Sequence, residues 1–184
     1  KYYSIDLPEN YAHHIAIEEF RDKLLESVEL RLRADVPVGT FLSGGLDSSI
    51  ISLLASQKKE NISSFSVGFP DQPFFDESED AKVVAQQLGL NHHILQLSES
   101  DIDSQVGSIL DSFDEPFADS SAILVNLISK FAHEHVKVVL SGDGADEIMG
   151  GYNKHRAILR SLDKNFINYF LKSGSHALGL FPES

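Results

Sequence analysis

The chain has 184 residues, 42% of them apolar, enough for one domain with a substantial core. Lysine and arginine total 15 against 28 aspartates and glutamates, a formal charge of −13, so the composition argues against a nucleic-acid surface, which needs a basic patch. Without cysteine there can be no disulfide, thiolate nucleophile or thiolate-bound zinc, and no apolar run reaches the ~18 residues of a membrane span.

Residues 1–12 read as an irregular lead-in containing Pro8. The chain opens on Lys1 rather than Met and shows no signal peptide, so an excised piece of a larger cytoplasmic protein is expected. From His14 to Arg33 the apolar positions Ile17, Phe20, Leu24, Val28 and Leu32 recur at helical spacing and predict a packed helix. A short buried strand is predicted over 38–42. It runs into Ser43-Gly44-Gly45-Leu46-Asp47-Ser48-Ser49, which opens a helix continuing from Ile50 to Lys59. Ser64 to Phe69 predicts a second strand, ended by Pro70 and Pro73. Phe75-Asp76-Glu77-Ser78-Glu79-Asp80 opens a helix to Leu88, with an acidic first turn that suits the helix dipole and Gly89 as its C-terminal stop. His92 to Leu97 predicts a third strand, and Ser98 or Ser100 caps a helix reaching Ser112. A loop over Asp114 to Ser121 precedes a helix from Ala122 to His135. Lys137 to Leu140 predicts a fourth strand, followed by Ser141-Gly142-Asp143-Gly144-Ala145-Asp146-Glu147 as a second glycine-rich loop. After Gly150-Gly151-Tyr152, a last helix is predicted from Lys154 to Leu171.

Strands alternating with helices of ten or more residues imply parallel βαβ units, hence an α/β fold: a doubly wound, mainly parallel sheet with helices on both faces. Ligands of such sheets sit beyond the carboxyl ends of the strands, where the winding reverses. Both glycine-rich loops follow strands directly. If strands one and four are neighbours, the two loops rim one crevice.

The first loop has a chemical logic. Its glycines let the backbone turn sharply and leave amides uncovered, and the positive end of the following helix adds to an anion site. The hydroxyls of Ser43, Ser48 and Ser49 are neutral donors. Asp47 is out of place beside a phosphate unless a divalent cation lies between, and Mg²⁺ favours one or two carboxylates together with phosphate oxygens. The plainer reading is a strand-to-helix turn with a serine or aspartate N-cap. Neither a Walker A lysine nor Gly-x-Gly-x-x-Gly is present. The second loop is not a calcium loop, because the twelfth position from Asp143 is Lys154 where glutamate is needed. His13-His14, His92-His93 and His133-Glu134-His135 lack the His-Glu-x-x-His spacing and read as surface or strand-edge residues.

The string Ser-Gly-Gly-x-Asp-Ser-Ser resembles the pyrophosphate loop of the PP-loop ATP pyrophosphatases. With Asp35-Val36-Pro37-Val38-Gly39, Ser66-Val67-Gly68-Phe69, Phe75-Asp76-Glu77, Asp114-Glu115-Pro116 and the second loop, the chain resembles the synthetase domain of the glutamine-hydrolysing asparagine synthetase family, from Tyr2-Tyr3 to Tyr152. The resemblance implies a single synthetase domain over 1–184, ATP and Mg²⁺ as cofactors, and aspartate as acid substrate. The substrate carboxylate attacks the α-phosphorus, pyrophosphate leaves, and ammonia derived from glutamine displaces AMP. It further implies that Ser43, Gly44, Gly45, Leu46, Ser48 and Ser49 hold pyrophosphate and that Asp47 and Asp146 hold Mg²⁺. Leu42, Val67, Gly68, Ser141 and Gly142 would contact the nucleotide, Val67 through its backbone. Asp143 and Asp146 would carry the catalytic roles. Family members often have Glu at the position of Asp143. A glutaminase domain in the parent protein, a substrate-side lysine well downstream and an open question of a homodimer follow from the same resemblance. Asp76 and Glu77, and Asp119-Ser120-Ser121, are either helix caps or substrate contacts. Two other functions fit the motifs: a β-lactam synthetase type of intramolecular amide closure, and a nucleotide-binding module without turnover.

Overall fold

The computed structural model describes residues 17–115 and 119–162. The lead-in, the start of the first predicted helix, residues 116–118 and the end of the last predicted helix lie outside the described residues. The chain divides into two compact units between Ser141 and Gly142.

The first unit contains α1 (Ile17–Arg31), β1 (Val38–Phe41), α2 (Leu46–Lys58), β2 (Ser63–Gly68), α3 (Ser78–Leu88), β3 (Asn91–Gln96), α4 (Glu99–Leu110), α5 (Ser121–His133) and β4 (Val138–Leu140). Every strand pairing is parallel, in the order β3-β2-β1-β4. The chain steps outward from β1 to β3, then crosses back to β4 on the far side of β1. The winding therefore reverses between β1 and β4, and the doubly wound expectation is met.

That reversal puts helices on both faces, as right-handed crossovers require. On one face Val38, Leu42 and Leu140 pack with Val28 of α1, Leu54 and Ala55 of α2, and Ala81 and Ala85 of α3. On the other, Phe65, Phe41, Val67 and Val139 pack with Ile128 and Ala132 of α5, and α4 lies against α5. Alternation along β1 and β2 sorts these side chains, because residues two apart share a face. Lys58 of α2 pairs with Glu29 of α1 at 2.8 Å, tying the two helices at their exposed side. Ser98 caps α4 in a reciprocal box with Asp101, which resolves the choice between Ser98 and Ser100.

A buried hydroxyl pair joins β1 to α2. Ser52 Oγ donates to Thr40 Oγ1 at 2.9 Å, and both residues are fully buried. Thr40→Val should cost about 1–3 kcal/mol by orphaning the Ser52 hydroxyl, while Thr40→Val with Ser52→Ala should recover most of that loss. Urea unfolding of the two single variants and the double variant measures the coupling.

The histidine pair of β3 straddles the sheet edge. On the α3 face, His92 has Ser64 Oγ 2.9 Å from Nδ1 and Ser66 Oγ 3.2 Å from Nε2. On the α5 face, His93 stacks on Phe65 at 5.2 Å and on His135 at 4.1 Å between ring centroids. Burial, then the neighbouring His93, holds His92 below the usual histidine pKa; burial, then His135, does the same for His93. A depressed folded-state pKa means the unfolded chain binds the proton first. Stability from these groups is thus complete above the unfolded value of 6.5 and is lost as the pH falls through their folded-state values. Urea titrations from pH 7.5 down to pH 5 should show falling stability, and His93→Phe should flatten the decline.

Candidate functional site

The chain leaves β1 through Leu42, whose N–H donates to Phe65 O at 2.9 Å, and turns at Ser43. Gly44 has φ +86°, and Gly45 caps α2 with extended backbone and no side-chain capping bond. The predicted serine or aspartate N-cap is therefore not used. Instead the serines bind the loop to itself. Ser43 Oγ accepts from Gly45 N–H at 3.2 Å, Ser48 Oγ accepts from Ser43 N–H at 3.2 Å, and the hydroxyls of Ser48 and Ser49 donate to Gly45 O at 3.1 and 2.7 Å. The first-turn amides of Leu46, Asp47 and Ser48 have no preceding helical carbonyl to bond, and with Gly44 N–H they have no acceptor among the described residues. The open donors of this turn are backbone amides at the positive end of α2. Asp47 is half-buried, and its carboxylate has no hydrogen bond or ion pair among the described residues.

Beside the loop lies a cavity of about 240 Å³, reached from Ser43 and walled by Phe41, Phe65 and Val67 of the sheet, Phe69 and Phe75 of the β2–α3 connection, and Leu124, Val125 and Ile128 of α5. Ligand pockets run roughly 300–1,000 Å³, so this one would enclose only part of a typical ligand. Phe65 O faces β1, where it accepts from Leu42 N–H. By the two-residue period of a strand, the amide and carbonyl of Val67 face the same side, past the end of β1, and bond to nothing among the described residues. Gly68 faces the other way, its carbonyl taken by Leu97 N–H at 2.9 Å.

Asp76 Oδ1 accepts from Ser78 N–H at 2.9 Å. Hydrogen bonds from the Ser78 hydroxyl and amide, with a further one from Phe69 N–H, hold its carboxyl below the usual range. That carboxylate is occupied in starting α3, while Glu77 reaches the cavity lining. Asp119 serves α5 in the same way, accepting from Ser121 N–H at 2.9 Å, and Ser120 is the N-cap without a side-chain bond.

β4 is the parallel neighbour of β1, with Thr40 opposite Leu140, so the chain leaves both strands at the same end of the sheet, through Leu42 and Ser141. From Gly142 onward the second unit is described by itself. The second loop is shorter than predicted, because Ala145–Met149 forms α6, flanked by left-handed Gly144 and Gly150. Asp146 and Glu147 thus sit on the first turn of a helix. The Asp146 carboxylate lies against the Cα of Gly151, in space that any side chain at 151 would fill. Tyr152 donates to Glu147 Oε1 at 2.6 Å, and this bond, with burial and the nearby carboxylates, pushes the phenol up to about 12. Lys154 Nζ stands 4.4 Å from the centroid of the same ring, at the start of α7 (Asn153–Leu162).

The structure therefore brings Leu42, Ser43, Glu77 and Val67 together at one cavity beside the Gly44–Ser49 turn. Missed by sequence reasoning were Phe75 as a wall residue and the α5 contribution. Leu124 and Ile128 are four apart on an apolar helix, which marks a packed face without saying what it faces.

This cavity and turn can be set beside known proteins. The Asparagine synthase family model matches residues 19–180. Asparagine synthetase [glutamine-hydrolyzing] 1 of Bacillus subtilis is 43% identical over 140 residues, covering 76% of this chain and 22% of that protein. A putative asparagine synthetase of Methanocaldococcus jannaschii is 38% identical over 160 residues, covering 84% of this chain and 31% of its own length. The chain thus spans between about a fifth and a third of these curated relatives. Among solved structures, the NH3-dependent NAD synthetase of Campylobacter jejuni shares the fold with a TM-score of 0.54 at 19% identity, over 76% of this chain and 62% of that one. The family match runs from α1 through both glycine-rich loops, the parts of the chain on which the sequence resemblance rested, and the chain belongs to the asparagine synthase family.

Proposed function

We propose that this chain is the nucleotide-binding and adenylating part of an ATP-dependent amide ligase that makes asparagine from aspartate. The observation that carries the reading is the continuity of an apolar cavity with a turn of open amides through one residue, Ser43. An adenosine end and a polyphosphate end are then served by adjacent parts of a single unit. The base is received against the free main-chain edge of Val67, and the departing pyrophosphate by the amides of Gly44, Leu46, Asp47 and Ser48.

Among the described residues there is no cluster of three or more acidic or histidine ligands. That fits Mg²⁺ carried with the nucleotide, which needs only one or two protein carboxylates. The unpartnered, half-buried Asp47 would hold it. When bound, Mg²⁺ would neutralise charge gathering on the phosphate oxygens. Asp143, on the second loop, is assigned to the acid substrate. The relatives are named as glutamine-hydrolysing, and on that analogy a glutaminase domain of the parent protein supplies the ammonia. A cytoplasmic setting accords with ATP as the energy source.

Adenylation moves one carboxylate oxygen onto AMP. Aspartate labelled with oxygen-18 in its side-chain carboxylate, given to the parent enzyme with Mg·ATP and ammonia, should yield labelled AMP with asparagine and pyrophosphate. Unlabelled AMP, or ADP with phosphate, would overturn the reading. This chain alone should bind Mg·ATP in calorimetry.

A further inference from the structure

We propose that Phe75 is the nucleobase-positioning residue of this site: its ring, held at the cavity mouth by a pinned turn, stacks on the purine and favours purine over pyrimidine nucleotides. The proposal rests on the reading of the cavity as an adenosine site and adds a residue to it.

Three observations carry it. Phe75 lines the cavity yet is 66% exposed, so a large apolar face stands at the mouth of an apolar space. Its neighbour Phe74 is 91% exposed and is not among the lining residues, although the two rings meet edge to face at 5.1 Å. The backbone holds Phe75 in place from both sides. Phe75 N–H donates to Gln72 O at 2.9 Å, and Gln72 N–H to Phe69 O at 2.9 Å. The Gln72 side-chain amide donates to Glu99 Oε1 of α4 at 2.8 Å. On the far side, Asp76 is committed to Ser78 at the start of α3. With the backbone fixed in this way, only the side-chain torsions of Phe75 remain to be ordered when a planar ligand covers the ring. The occupant is a base rather than an aliphatic chain, because Val67, which lines the same cavity, has an unbonded amide and carbonyl, a donor and an acceptor side by side. Ser43 leads from the same cavity to the phosphate-binding turn.

The test uses the full chain and calorimetric titration with Mg·ATP, Mg·CTP and Mg·pyrophosphate, the last having no base. Phe75→Ala should bind Mg·ATP about ten-fold more weakly, the loss expected of one base–aromatic stack, while pyrophosphate affinity holds within about two-fold. The preference for ATP over CTP should shrink with it. Phe75→Trp should restore ATP affinity, and Phe74→Ala should leave it within about two-fold of the parent value. Unchanged ATP affinity in Phe75→Ala overturns the proposal. So does an equal loss of pyrophosphate, which would mean that the turn has collapsed, or an equal effect of Phe74→Ala. A wild-type chain that binds pyrophosphate but shows no preference for any base removes the adenosine reading itself, and the role of Phe75 falls with it.

Discussion

Gly44→Ala should destabilise the first unit by about 1–3 kcal/mol and abolish measurable Mg·ATP binding. Gly44 has φ +86°, a conformation that alanine adopts only under strain. A Cβ there would stand 2.9 Å from the Ala81 backbone nitrogen and 2.9 Å from Asp80 Cβ. Both belong to the first turn of α3, which is fixed by Asp76 and Ser78 and by the burial of Ala81 against Leu42. Neither neighbour can swing aside as a flexible side-chain tip would, so the loop must shift, and the open amides of the turn shift with it. Gly45→Ala is the contrast. Gly45 has φ −67°, and its Cβ would meet only Ser43 Oγ, at 3.2 Å. It should be much milder in urea unfolding and should retain part of the nucleotide affinity. Equal effects of the two substitutions would show that packing of the loop on α3 is not what sets its shape.

The same loop shows which parts of this protein can be read from its residues. The order of elements was legible because each strand is a short run bounded by turn residues and set beside a helix of eleven or more residues. The sequence left the strand order open, and the adjacency of β1 and β4 on which its single crevice depended is present in the sheet. Asp47 stood out in the sequence because a carboxylate among hydroxyl and amide donors is unusual, and the fold leaves that carboxylate without a hydrogen bond or ion pair among the described residues. The serines were less so. Hydroxyls are both donors and acceptors, and only the folded turn shows that Ser48 and Ser49 spend their hydrogens on Gly45 O. The helix α6 escaped because five residues span little more than one turn, too short for any period to appear. Phe75 escaped for another reason: it lies in a connection without periodicity, and its partner wall arrives from α5, some fifty residues later. The histidines at 92 and 93 read as surface or strand-edge residues from sequence, but their opposite faces and different partners needed the pleat and the neighbouring β2.

Asp47→Ala should produce opposite effects with and without magnesium. With Mg²⁺ present, nucleotide affinity should fall by more than the roughly 10–100-fold that loss of even an outer-shell metal partner costs. With Mg²⁺ removed by a chelator, the variant should bind ATP as well as the parent chain or better. The reason lies in the site's charge. Asp47 is half-buried on the first turn of α2, beside the amides that would take the phosphates, and no lysine, arginine or other donor among the described residues bonds its carboxylate. Without a cation, two anions face each other at short range, and removing one relieves the repulsion. With the cation, the carboxylate becomes a ligand, and removing it leaves the metal held by the nucleotide alone. The fold should tolerate the change. An acid in the first turn contributes only about 0.3–1 kcal/mol through the helix dipole, so thermal unfolding should move little. Calorimetric titration with ATP in both buffers, set beside the melting curves, gives the comparison. A variant that loses affinity equally in both buffers would mark Asp47 as a structural element of the turn and would leave the proposed Mg²⁺ without its principal protein ligand.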